Sequence, residues 1–259
     1  MSQNQNTLHG QATPATESTE TSRFRLSLAH SESEVLEAQR LRYKVFAEEL
    51  GAHLQCRVPG HDSDIFDSYC DHLLVRETAS DRVIGTYRIL PPDAARKMGM
   101  YYSESEFYLN RLQHLRSRMV EVGRSCIHPD HRGGAVIALL WAGLADYMVR
   151  NNYEYLIGCA SIGMVDGGHN AANVFRDIAP AHMAPIEYQC FPKNRLPFER
   201  LATNQSAVVP PLIKGYLRAG AWVCGEPAWD PDFNTADLLL LLPMARINQR
   251  YLRHFVKSE

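Results

Sequence analysis

The stretch EVGRSCIHPDHRGGAVIALLW, Glu121–Trp141, changes pattern twice within twenty-one residues. Glu121 to Cys126 alternates apolar and polar residues and is bounded by Pro129, the pattern of a strand. Ala135 to Met148 keeps Ile137, Leu140, Leu144 and Met148 near one face, the pattern of a helix. Arg132, Gly133 and Gly134 lie between them. A strand that feeds a glycine turn at a helix N-terminus presents free backbone N–H groups and the positive end of a helix dipole. That arrangement binds anions, phosphates above all. An ordinary βα connection with a solvated arginine fits the stretch as well, so the rest of the chain has to decide.

Composition narrows the choice. With 259 residues, 45% of them hydrophobic and 22% charged, the chain can bury a sizeable core. A formal net charge of −2 excludes a general polyanion binder and argues against nucleic acid as a partner. Six scattered cysteines have no C-x-x-C spacing and read as small hydrophobes. The first 22 residues are polar and rich in Ser, Thr and Gln, as in a disordered tail, and lack the apolar core of a signal peptide. No apolar run reaches membrane-span length. A cytoplasmic protein is expected, with a single folded domain over 23–259.

Outward from the opening stretch, the pattern is a strand at RFRLSLA and then a helix that starts with the capping pair Ser31 and Glu34 and stops at Gly51. A hairpin follows from CDHLLVRET and RVIGTYRIL. A short helix near LNRLQHL precedes the strand–turn–helix, and YLIGCASI follows it as a strand. NAANVFRDIA and PPLIKGYLRAG read as helices; APIEYQCFP, AWVC and ADLLLLLP read as strands, the last buried on both faces. ARINQRYLRHFVK closes the chain as a basic helix. Its stripe Ile247, Tyr251 and Phe255 suits either packing on the domain or peripheral contact with an anionic membrane. The order of elements gives an α+β fold built on a mixed sheet.

Several chemistries find no support. Cys126, His128 and His131 imitate metal ligands but lack a second ligand pair, so no metal is expected. There is no G-x-S-x-G elbow and no dinucleotide fingerprint after the first strand. Glu121 and Arg124 stand three apart on one strand, which puts them on opposite faces unless a bulge intervenes.

An early helix, a hairpin and a strand ending in R-G-G before a helix resemble the GNAT superfamily of N-acyltransferases. In that superfamily the turn after the central strand cradles the phosphates of an acyl-pantetheine donor. The ordered set Arg42 and Phe46 in LRYKVF, Asp64 and Asp67 in DIFD, Arg88 in VIGTYRIL, and Glu121 and Arg124 in EVGR is similar to acyl-homoserine-lactone synthases. The tryptophan those synthases carry has no counterpart in Gly51 to Leu54. EVGRSCIHPDHRGGAVIALLW, PPLIKGYLRAGAWVCGEPAWDPDFNTADLLLLLP and YLRHF resemble the ornithine acyl-carrier-protein N-acyltransferases of bacterial ornithine-lipid synthesis.

That resemblance implies transfer of a 3-hydroxyacyl group from acyl carrier protein to the α-amine of L-ornithine, giving a lyso-ornithine lipid. The donor's own 4′-phosphopantetheine thioester takes part and no separate cofactor is implied. By position in the motif, Glu121 is the catalytic base. Arg124 and Arg132, with the amides of Gly133 and Gly134, hold the donor phosphate. Arg42, Phe46, Asp64, Asp67 and Arg88 form the pocket. Arg111, Arg116, Arg118 and His131 offer a docking patch for the acidic carrier protein. Glu226, Asp230 and Asp232 are candidates for ornithine's side-chain ammonium. The alternatives are another amino-acid acceptor, or a carrier-protein-binding or membrane-binding protein without turnover.

Overall fold

The alternating and helical periodicities settle into sixteen named elements in a structure, a computed structural model, that describes residues 22–54 and 56–247. The first half contains β1 (Phe24–Leu28), α1 (Glu32–Tyr43), β2 (Asp71–Glu77), β3 (Val83–Leu90), α2 (Pro92–Met98), β4 (Phe107–Tyr108) and β5 (Met119–Ile127). The second contains α3 (Ala135–Arg150), β6 (Tyr155–Gly163), α4 (His169–His182), β7 (Phe191–Pro192), α5 (Phe198–Leu201), α6 (Pro211–Ala219), β8 (Trp222–Val223), β9 (Ala228–Asp230) and β10 (Thr235–Pro243). The polar tail lies outside the described residues up to position 21, as does the basic C-terminal stretch beyond Ile247.

One mixed sheet runs in the order β1-β2-β3-β5-β6-β10-β8, with β9 pairing β10 beside β8. Its pairs are antiparallel except β5 with β6. Expectation and structure therefore agree on an α+β fold with helices on a mixed sheet. The strand β10 reads LLLLL because both its faces are covered. Leu238, Leu240 and Leu242 join the core under α3, α4 and α6, while Leu239 and Leu241 join the core on the other face. On α3 the buried stripe is Val136, Leu140, Leu144 and Met148, with Ile137 partly covered at its edge. Truncating a fully buried leucine such as Leu140 to alanine would cost about 2–5 kcal/mol.

Three local readings shift. The capping residue Ser31 accepts from the Glu34 amide, but the Glu34 carboxylate receives the His30 amide rather than that of Ser31. The helix after Tyr43 widens into a π-helical turn, Lys44–Glu49. APIEYQCFP forms a 3₁₀ turn, Ile186–Tyr188, and only the two-residue strand β7, because Pro185 and Pro192 cannot donate to a ladder.

Candidate active site

The site opens where the sheet comes apart. The parallel pairing of β5 with β6 covers only Met119–Glu121 against Tyr155–Ile157. Gly158 marks the closest approach beyond it: a Cβ there would lie 2.3 Å from the Val122 carbonyl oxygen. Only glycine lets the strands pass and then diverge. The divergence leaves a cavity of 320 Å³. Its walls are apolar at Val122, Leu156 and Leu240, and polar at Arg124, Cys159 and Asp237.

Arg124 reaches this cavity through a bulge. Thr86 pairs with Cys126 and Arg88 with Gly123, so Arg124 and Ser125 together stand opposite the single residue Tyr87. Arg124 takes φ +50°, a left-handed conformation that costs a non-glycine residue on the order of 1–3 kcal/mol. Its guanidinium lies 4.7 Å from the Tyr102 ring centroid and 4.4 Å from that of Phe233. Phe46 meets Phe233 edge-on at 6.0 Å and completes this wall.

Behind the wall lies a buried charge network. Arg42 donates to Asp62 at 2.8 Å and to Asp67 at 2.9 Å. Arg88 donates to Asp64 at 2.7 Å and to Asp67 at 3.0 Å. Arg124 contacts Asp62 and Asp64, each at 3.3 Å. Three arginines and three aspartates thus alternate with balanced charge, joining residues scattered from position 42 to 124. Burial pushes the Asp67 carboxyl up, but Arg42 and Arg88 outweigh it and hold the group well below the usual range. Asp64 is held low in the same way by Arg88 and Arg124. Asp62, Tyr102 and Phe233 escaped the sequence reading. Asp62 sits two residues before Asp64 in HDSDIFD, but nothing local distinguishes a network aspartate from a loop one.

Glu121 lies deeper. Its carboxylate accepts from the amides of Tyr102 at 2.5 Å and Ser103 at 2.7 Å, and from the Ser103 hydroxyl. It borders a small hollow under Phe66 and Tyr102 rather than the main cavity. Burial raises its pKa despite these three donors. The Ser103 hydroxyl in turn accepts from the Cys159 thiol at 3.4 Å. Because Cys159 lines the cavity, a chain of hydrogen bonds runs from the cavity wall to Glu121.

The glycine turn is a separate feature. Gly134, at φ +95°, is the N-cap of α3 and brings no side chain to the helix amides. Arg132 forms a two-pronged pair with Glu49 at 2.6 and 2.7 Å. The arginines expected to share the donor phosphate therefore have different partners: Arg132 with Gly133 and Gly134 at the turn, Arg124 in the cavity wall.

Acidic groups gather at the polar end of the cavity. Ligand atoms of Glu106, Cys159 and Asp237 all lie within 4.8 Å of one another. Burial first, and then the neighbouring Asp237, push Glu106 up to about 10. Asp237 is also raised, chiefly by burial. Of the three acids singled out in GEPAWDPDF, only Asp230 lines the cavity. Glu226 pairs with Arg195, and Asp232 is an exposed loop residue whose amide caps Asp230. Glu106 lies too far along the chain from Asp237 for any motif to have linked them.

The chain matches an acetyltransferase (GNAT) domain over residues 41–142. It is 36% identical over 246 residues to an L-ornithine N(alpha)-acyltransferase of Rhizobium meliloti (strain 1021), covering 88% of this chain and 82% of that one. It is likewise 36% identical over 247 residues to an enzyme of the same name from Brucella abortus (strain 2308), covering 88% and 87%. Among solved structures, FeeM, an N-acyl amino acid synthase from uncultured soil microbes, superimposes with a TM-score of 0.54 at 13% identity, over 86% of this chain and 91% of that one. The AHL synthase LasI does so with a TM-score of 0.53 at 14% identity, over 92% and 99%. These two likenesses bear on the fold.

Proposed function

The chain belongs to the L-ornithine N(alpha)-acyltransferase family, and from that membership we propose that it moves a 3-hydroxyacyl group from an acyl-carrier-protein thioester to the α-amine of L-ornithine. The observation that carries this reading is the cavity in the β5–β6 split, apolar along one wall and lined elsewhere by the ionisable side chains of Arg124, Asp230 and Asp237. The apolar wall suits an acyl chain and the charged end a zwitterionic amino acid.

In the transfer, the thioester C–S bond breaks and a C–N bond forms. The acceptor ammonium loses one proton before attack, and a second leaves the tetrahedral nitrogen for the departing thiolate. Glu121 takes the first proton along the relay in which the Cys159 thiol donates to the Ser103 hydroxyl and that hydroxyl donates to the Glu121 carboxylate. Its raised pKa brings the carboxylate toward the range in which a general base works at neutral pH. Arg124, the one cationic side chain among the described residues lining the cavity, receives the acceptor's carboxylate. Ser125, placed on the cavity wall by the bulge, offers its amide to the oxyanion.

The donor phosphate falls to the Gly133–Gly134 amides and Arg132. The exposed Glu49–Arg132 pair is worth at most about 1 kcal/mol, so a phosphate can displace Glu49. No cofactor is needed beyond the phosphopantetheine that the donor carries. The product bears a long acyl chain, and the basic stretch 245–257 would meet an anionic membrane surface. Among the described residues no helix is long and apolar enough to cross a membrane.

The direct test combines purified protein, 3-hydroxyacyl carrier protein and L-ornithine, with products read by mass spectrometry. An N-acylated ornithine is expected. No acylated ornithine from any of several acyl-chain lengths would overturn the reading.

A further inference from the structure

We infer that the buried Glu106–Asp237 pair, with Asp230 beside it, is the site that receives the acceptor's side-chain ammonium and so selects a diamino acid. The inference rests on the ornithine reading and deepens it. Both Glu106 carboxylate oxygens are shut off from solvent, and neither receives a hydrogen bond from a described residue apart from the proton it can share with Asp237. A carboxylate in that position is costly unless a cation or a shared proton completes it. Asp237 is 3% exposed and lines the cavity, with one oxygen held by the Thr235 hydroxyl at 2.9 Å. Asp230, also on the cavity wall, lies close enough to raise both carboxyls. Arg124 opposes that rise at Glu106 and lines the same cavity as Asp230 and Asp237.

The chemistry of the cluster favours an ammonium. An ammonium brings three N–H donors, and the clustered carboxyls of Glu106 and Asp237, with Asp230 on the same cavity wall as Asp237, offer it acceptors. Burial keeps the third close neighbour, Cys159, a thiol. An α-carboxylate at Arg124 and a side-chain ammonium at the acidic pair would hold the acceptor at both ends. Its α-amine would then lie between them, near Cys159.

The test compares L-ornithine with L-norvaline, which keeps the carbon chain and lacks the terminal amine. With wild-type protein and one acyl-carrier-protein donor, kcat/KM for ornithine should exceed that for norvaline on the order of 10²-fold or more, because norvaline leaves the acidic pair without its donor. In Asp237→Asn and Glu106→Gln the ratio should collapse toward one. If wild type acylates both acceptors equally, this inference alone falls and the ornithine reading stands. If the folded variants keep the wild-type ratio, the ammonium is held elsewhere. If wild type acylates neither, both readings fall. A wild-type ratio near one overturns the inference even where a variant does not fold.

Discussion

Glu121 has both carboxylate oxygens occupied by donors from Tyr102 and Ser103, so its role must be tested in a way that separates chemistry from support. Glu121→Gln should lower kcat by roughly 10²–10⁴-fold if it is the proton acceptor. The same change leaves a buried donor unsatisfied, which costs about 1–3 kcal/mol and lowers Tm by a few degrees. The pH profile distinguishes the two effects. Only the carboxylate accepts a proton, so wild-type rate should fall as pH drops through a value that burial has raised above the ordinary 4.5. That acid limb should vanish in the variant; if it persists unchanged, Glu121 only positions Tyr102 and Ser103. Asp67 gives the opposite sign. Its folded pKa is depressed, so its contribution to stability is complete above the ordinary 3.8 and is lost as pH falls toward the lower folded value. Asp67→Asn breaks a buried network and should cost about 3–5 kcal/mol at neutral pH, a Tm loss of roughly 6–20 °C by scanning calorimetry. Below pH 3.8 wild type should lose stability more steeply than the variant. The residue types of this network were legible in LRYKVF, DIFD, VIGTYRIL and EVGR. Asp62 was not, because a loop aspartate shows its partner only when the loop is folded over α1.

At the level of elements, the strand–turn–helix of Glu121–Trp141 was readable because period and punctuation agree: alternation, then proline and glycine, then a helical stripe. The bulge was not. Glu121 and Arg124 are three apart, and the bulge between them depends on which β3 residue faces which, a register that local pattern does not encode. The split between β5 and β6 was equally silent, since Gly158 in YLIGCASI looks like any glycine in a strand. Its role makes a sharp prediction. Gly158→Ala would force a methyl against the Val122 carbonyl, so the strands must separate further or shift. Activity should fall by at least tenfold, a loss of the size that about an ångström of misplacement produces. The protein should nevertheless keep its far-ultraviolet circular dichroism. Wild-type kinetics in that variant would mean that the strands yield there without consequence for the site.

Across the whole molecule, a net charge of −2 leaves attraction for an acidic carrier protein to local surface. Of the four basic residues expected to form a docking patch, His131 stands apart from Arg116 and Arg118. Arg116 and Arg118 precede β5, where they pair with Glu104 and Glu154, whereas His131 follows the far end of β5 beside Glu77. A nine-residue strand separates them by about 25–30 Å. On the proposed reading the donor threads its thioester into the β5–β6 split with its phosphate at Gly133–Gly134, which would put docking at the His131 end. Charge reversal at each end tests this. Arg132→Glu should raise the KM for acyl carrier protein strongly, and Arg118→Glu should change it little. A larger effect of Arg118→Glu would move the docking surface to the start of β5, and equal effects would rule out the His131 end as its sole location. If the proposed docking holds, initial rates with acyl carrier protein should exceed those with acyl-coenzyme A at matched chains, and the carrier rate should fall steeply with added salt. Equal catalytic efficiency with both donors would mean that the pantetheine arm alone is recognised. Arg132 would then act on its phosphate and not on the protein behind it.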